Sequence, residues 1–576
     1  MKTFRNFIIA VLFCGVSVAC NETDWLKEEP MDFYTAENSY TTSAQFQQSL
    51  NYLYDLMREM RFCDGGDGQV TMYLGDFCYG GTDPNLKFNN WETWITASTY
   101  VANDFWKRCY SGIANANIIL SRLQIAEEIG EAEKKVDSGE ALFFRGYFYN
   151  MLANLYGGVP IVLEEPTSPR NDYVRSSRQE VYAQAAKDLE EAIGLLPDIT
   201  EAKDGKVTKQ AAQHLITEVY ISLNQYQKAI DAASAVINHP DMSLMTKRFG
   251  TRADEEGDPY WDLFQTDNQN RSTSGNKETI LALQYEYKSA GSNYGSQFPR
   301  QVIPAYMNLQ VMGKDGRPVL AFPSYTEEKG GRGIGVFHPT DHFLYEIWGD
   351  DFNNDYRNSE RMIQRDYRIE NPAAAGYGEW VIADGWLNSA VSGEVDYTKN
   401  DNGYRNFYPF ILKLSRIGDL PDDCYVHNAD GSIKTTTMGE HVIPYQRSSL
   451  SANCSLRDEY LYRLAGTYLL RAEAYLQNGQ KDKAAEDINA VRRRSNATEC
   501  SASEVDIDYI LDEQLRELYF EGYRITTLMR LGKFIERTRK YNYFGHNVRD
   551  WQELFPIPYS EIERNTGAAL EQNPGY

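Results

Sequence analysis

The sequence predicts a mainly α-helical protein: a scaffold of helical pairs carrying large irregular loop insertions and a few short strands. The first observation behind this is an internal repeat. Thr217–Ile237, TEVYISLNQYQKAIDAASAVI, matches Ala472–Arg492, AEAYLQNGQKDKAAEDINAVR, without a gap at an offset of 255. Glu218 meets Glu473, Tyr220 meets Tyr475, Lys228-Ala229 meets Lys483-Ala484, and Val236 meets Val491. Each copy reads as helix, turn (Leu223-Asn224 or Asn478-Gly479) and second helix, with small alanines where the helices would cross. The second observation is a set of apolar stretches with helical spacing, and the third is a middle region that lacks such spacing.

The elements follow in chain order. Lys2 and Arg5 precede an apolar run, Phe7–Ala19, that is shorter than the roughly twenty residues needed to span a bilayer. A short apolar run behind a basic start is a targeting signal and stands apart from the fold. A small-x-small pattern, Ser17-Val18-Ala19, leads directly to Cys20, and the stretch is similar to a bacterial lipobox. In that class of signal the cysteine is lipidated and becomes the new N-terminus, so residues 1–19 are expected to be removed and 20–45 to form a lipidated linker. Ser43–Arg58 and Tyr100–Leu123 read as helices. Glu140–Leu155, EALFFRGYFYNMLANL, is a strongly apolar helix stopped by Gly157, Gly158 and Pro160. Arg178–Leu196 places Val181, Ala185, Leu189 and Ile193 on one face and ends before Pro197. Residues 46–240 thus form an N-terminal helical part and 455–576 a C-terminal one, with 20–576 expected to be one compact unit. Between them, 241–454 is rich in Gly, Asn, Asp, Ser and Tyr; Thr279–Tyr287 is a strand candidate there.

Composition excludes several classes of function. The formal net charge is −24, and loss of Lys2 and Arg5 makes the mature chain more negative still. Such a surface repels nucleic acid, whose binding relies on lysine and arginine neutralising phosphate. Six cysteines remain beyond Cys14 and Cys20, with no C-x-x-C pair or zinc-like spacing. The seven histidines form no H-E-x-x-H, and His338 and His342 are separated by Pro339. No G-x-S-x-G, P-loop or dinucleotide fingerprint occurs. An enzyme is not expected, nor is a cofactor.

Several segments carry a family likeness: ETDWLKEEP after Cys20, ALFFRGYFYNMLANLYGGVPIV, YLLRAEAYLQNGQKDKAAEDINAVRRRS, LRELYFEGYRITTLMRLGKF, and the ending LFPIPYSEIERNTGAALEQNPGY. Together, and in this order, they resemble the SusD/RagB family, and the repeat resembles the tetratricopeptide unit. The resemblance implies a SusD-like fold framed by four tetratricopeptide-like helical pairs. It also implies an outer-membrane lipoprotein, exposed at the cell surface, that takes up an oligo- or polysaccharide. The implied partner is a TonB-dependent SusC-like barrel transporter. A RagB-like peptide-binding role, or a protein-docking scaffold without a small ligand, are the alternatives.

Sugar rings offer flat C–H faces for aromatic rings and hydroxyls for Asn, Asp, Gln and Arg. Two regions combine these groups. The first holds Tyr79, Trp91 and Trp94 beside Asp83, Asn89 and Asn90; the second holds Trp261, Tyr287 and Tyr294 beside Asn268, Asn270 and Arg271. In GDDFNNDYRNSE, Asp351, Asn353 and Asp355 alternate as calcium ligands do and are candidate ligands for a structural calcium, but the EF-hand glycine and glutamate are missing. Glu517, Glu521 and Arg524 are spaced for one helical face and a local ion network. Pro556 and Pro558 extend the chain before a helix that Ser560 is placed to cap.

Overall fold

The computed structural model describes residues 39–62, 71–81, 87–289, 295–382, 405–415, 417–418, 420–444 and 455–576. Cys20 lies outside them, so the lipidation expectation has no structural counterpart. The helical frame runs α1 (Ser43–Phe62), α2 (Tyr100–Ile125), α3 (Glu131–Tyr156), α4 (Arg178–Leu195), α5 (Lys209–Ser222), α6 (Tyr226–Ile237), α7 (Leu464–Gln477) and α8 (Lys481–Arg494). Contacts pair α1 with α2, α3 with α4, α5 with α6 and α7 with α8. Helix α6 packs on α7, so the two repeat copies dock on each other although the whole insertion separates them in sequence. A hairpin of two helices cannot bury its apolar face alone, and stacking on a neighbour completes the core.

The repeat extends to the backbone of its turns. Asn224 (φ 58°) and Gly479 (φ 73°) occupy equivalent positions and both adopt the left-handed conformation that reverses the chain. At the start of α4, Ser177 and Glu180 form a reciprocal capping box. Helices α2 and α3 cross closely at Gly112, where an added Cβ would lie 2.1 Å from the Phe148 ring. Gly112→Ala is therefore expected to lower stability by about 1–3 kcal/mol through overpacking, read as a shifted urea midpoint.

The middle region is irregular in backbone yet folded around its own apolar core, which includes Ile303, Tyr306, Phe322, Tyr367, Phe407 and Phe410. Its strands are short and paired in twos. Two pairs matter below, each joining the middle region to the rest of the chain: β1 (Cys78–Gly80) pairs antiparallel with β3 (Phe337–Pro339), and β2 (Thr279–Leu283) pairs with β4 (Glu459–Arg463). The strand expected over Thr279–Tyr287 thus forms in its first half. Cys78, Cys109 and Cys500 are free thiols and buried, and buried Cys424 donates its S–H to the Tyr287 hydroxyl at 3.6 Å. Among the described residues no helix is long and apolar enough to cross a membrane.

The C-terminal helices correct one expectation. Helix α9 (Ile507–Leu518) ends before Phe520, whose φ of 60° turns the chain, and α10 (Arg524–Arg530) and α11 (Phe534–Tyr541) follow. Glu517, Glu521 and Arg524 therefore share no helical face. Arg524 reaches Asp76 at 2.6 Å. Glu517 binds Arg463, Arg494 and, at 3.1 Å, Arg357, and all four side chains are fully buried. Glu521 binds Arg463 at 2.5 Å and Lys413 at 2.6 Å. The short helix Tyr559–Arg564 has no side-chain cap; Ser560 Oγ donates instead to Asn103 at 3.0 Å.

This buried cluster sets an acid limit. Burial alone would raise the Glu517 carboxyl, but Arg494, Arg463 and Arg357 hold it down at about 2. Its folded value lies below the ordinary unfolded value of ~4.3, so its contribution is complete above that value and disappears as pH falls towards 2. Thermal melting at a series of pH values is expected to show a stability loss between about pH 4.3 and 2 that Glu517→Gln reduces.

Candidate functional site

The first region of expected ligand residues is built into the core. Tyr79, on β1, stacks on His338 with ring centroids 4.6 Å apart and is 1% exposed. Trp91 packs edge-on against Phe534, and Trp94 donates its indole N–H to Thr71 Oγ1 at 2.8 Å. The Asn89 amide is occupied by both backbone groups of Gly80, each at 2.8 Å. Asn90 precedes the short helix Trp91–Trp94 and makes no side-chain cap bond. These rings offer no open face to a ligand, so the expectation is corrected for Tyr79, Asn89, Trp91 and Trp94. Asp83 lies outside the described residues.

The second region is divided. Asn268 is fully buried; it accepts from Thr251 N–H at 2.9 Å and donates to Asp262 O at 2.7 Å. Asn270 donates to Asp458 at 2.7 Å, and Arg271 donates to Asp241 O at 2.8 Å. All three serve the fold, which corrects their assignment. Tyr287 is half-buried, its hydroxyl 2.8 Å from Asp423 and Lys288 above its ring. A groove of about 510 Å³ lies between α1 and the end of β2, lined by Tyr54, Arg58, Lys206 and Gln284 among others. Tyr294 lies outside the described residues.

Among the expected aromatics that are described, Trp261 alone lines a large concavity, a cleft of about 1050 Å³. One wall is the segment around a short helix, Pro259–Asp262, whose first turn is capped by Asp258 accepting from Trp261 N–H at 2.8 Å. Arg248 grips Asp262 through two bonds of 2.7 and 3.0 Å. The guanidiniums of Arg248 and Arg361 lie 5.6 and 5.4 Å from the indole ring. The facing wall comes from Phe352 to Asp366 and contributes Tyr356, Asn353, Glu360 and Arg361, with Phe264 and Lys413 at the base. Burial raises Asp258 to about 6 against the backbone N–H groups that favour its charge. The cleft thus combines an aromatic wall with planar amide, carboxylate and guanidinium groups.

Sequence reading assigned the facing wall differently. Asp351 accepts from Arg492 at 2.8 Å and from Thr498 Oγ1 at 2.7 Å, and Asp355 forms two bonds with Arg357 at 2.8 and 2.6 Å. Both carboxylates are buried on guanidiniums, and Asn353 is exposed without converging on them. The calcium expectation is corrected: the alternating acids pair with arginines. Tyr356 and Arg361, which line the cleft, are not among the residues the sequence singles out; their signal was the mixture of Asn, Tyr and Arg in the same stretch. His338 Nδ1 lies 2.8 Å from Pro339 O, whereas His342 sits between Glu346 and Asp512, each at 3.0 Å.

Comparison with known proteins places this geometry in a family. The profile described as starch-binding associating with outer membrane matches residues 21–221, and the SusD family profile matches 264–576. SusD-like protein P2 of Formosa agariphila is 23% identical over 602 residues, covering all of both chains. The starch-binding protein SusD of Bacteroides thetaiotaomicron is 38% identical over 123 residues, 20% of this chain and 21% of that one. The surface glycan-binding protein A of B. thetaiotaomicron, solved with laminarihexaose, superposes with a TM-score of 0.62 at 20% identity, over 92% of this chain and all of that one. A laminarin-binding SusD-like protein gives 0.63 at 20% identity over 93% of this chain and all of that one. The likeness to these two structures is one of fold, and with the matching profiles it establishes that the chain belongs to the SusD family.

Proposed function

We propose that the protein is a cell-surface lipoprotein that captures an oligo- or polysaccharide in the cleft beside Trp261, without turnover, and passes it to a TonB-dependent SusC-like barrel. The observation that carries this reading is the cleft itself. Its volume suits a ligand of several rings, and its walls pair an aromatic face with groups that satisfy hydroxyls. Relatives described as binding starch, laminarin and laminarihexaose support a glycan as the ligand. The lipobox-like Cys20 supports the anchor, and the family profile's outer-membrane description supports the location.

Native electrophoresis of the purified full chain through gels containing starch, laminarin and other polysaccharides tests the ligand class. Retardation by at least one glycan, with no release of reducing ends, is the expected result. Binding to peptides alone would replace the reading with peptide uptake. Affinity capture from solubilised outer membranes is expected to bring a TonB-dependent barrel with the protein; its consistent absence would remove the delivery role.

A further inference from the structure

We propose that Glu327, Glu328 and His441 form a binding site for a divalent transition-metal cation of the zinc type, separate from the cleft. One donor atom from each side chain lies within 4.8 Å of the other two. The backbone holds them together. Strand Tyr325–Thr326 pairs antiparallel with Val442–Ile443, and the two glutamates follow the first strand while His441 precedes the second. Glu327 N–H donates to His441 O at 3.0 Å, and His441 N–H donates to Glu328 at 2.9 Å.

A second observation points to a ligand. Glu327 is 2% exposed, and while its Oε2 accepts from Tyr425 at 2.8 Å, its Oε1 is buried without a hydrogen-bond partner. A buried carboxylate oxygen left unpaired is destabilising, and a cation among the three donors would satisfy it. His441 Nδ1 and Glu328 Oε1 already stand 2.6 Å apart, a contact in which a cation replaces the shared proton. Glu328 and His441 are partly exposed and leave a route from solvent.

The donor set selects the metal. Calcium and magnesium favour all-oxygen shells, whereas one imidazole and two carboxylates suit zinc and its neighbours. Zinc bonds of about 2.0–2.2 Å in tetrahedral geometry put donors roughly 3.3 Å apart, so on loading the His441–Glu328 pair, now at 2.6 Å, opens slightly to admit the ion. Tyr425 then acts as the outer partner that orients Glu327. Bound metal would tie residue 327 to residue 441 and staple two distant segments of the middle region.

Zinc chloride titration of the purified full chain, in competition with a chromophoric chelator, tests the site. One equivalent is expected to bind, and Glu327→Gln and His441→Ala are each expected to weaken binding tenfold or more. Zinc should raise the melting temperature of the parent but not of the variants, whose melting in EDTA should match the parent's. Independently of any variant, anomalous diffraction at the zinc edge should place a peak among the three side chains. Absence of stoichiometric binding, a peak elsewhere, or variants that bind as the parent does would overturn the proposal.

Discussion

Glu517→Ala is expected to destabilise the folded chain by about 3–5 kcal/mol, the range for breaking a buried ion pair from one side. Glu517 faces Arg463, Arg494 and Arg357, and none of these groups reaches solvent. Removing the carboxylate leaves three guanidiniums with less compensation and no water to replace it. Arg463 also binds Glu278 at 2.8 Å, so the loss spreads to the start of β2 and the β2–β4 pair. Urea denaturation followed by circular dichroism measures the effect. The exposed pair Arg170–Asp172, 2.9 Å apart with both side chains more than half exposed, is the control; solvent screens it, and Asp172→Ala is expected to leave the urea midpoint essentially unchanged. Equal effects at the two sites would show that the buried cluster does not hold the fold together.

The second large effect concerns the ligand. Trp261→Ala is expected to weaken glycan binding at least tenfold, equivalent to about 1.4 kcal/mol. Loss of the ring removes the apolar wall on which a sugar face rests, and it removes the ring that the guanidiniums of Arg248 and Arg361 approach to 5.6 and 5.4 Å. Trp261 is itself largely buried, so the experiment needs a partner variant that leaves the core alone. Arg361 is substantially exposed, and Arg361→Ala is expected to weaken binding severalfold with an unchanged melting temperature. Calorimetric titration with the glycan identified by electrophoresis reads both. Unaltered affinity in both variants, with loss in Tyr287→Ala, would move the site to the far end of β2.

The helical frame was legible because its signal is local. Helical spacing, caps and stops reside within a few residues of one another, and the offset repeat carried its turn residues, Asn224 and Gly479, with it. The candidate ligand residues were legible only in part because an aromatic ring reads the same whether it is open or buried. Trp91 is closed off by Phe534 from the opposite end of the chain, and Tyr79 by His338; neither partner is signalled nearby. Asp351 and Asp355 have the alternation of a cation loop, yet Arg492 and Arg357 neutralise them. Glu517 and Arg524 have the spacing of one helical face, but the left-handed residue at Phe520 lies between them. Wherever a long-range partner decides, local periodicity is silent.

The most direct measurement is a crystal structure of the full chain with its bound glycan. The account predicts sugar density inside the cleft, with one ring face against Trp261 and hydroxyls within hydrogen-bonding distance of Arg361. Density confined to another surface, with the cleft filled only by solvent, would contradict it.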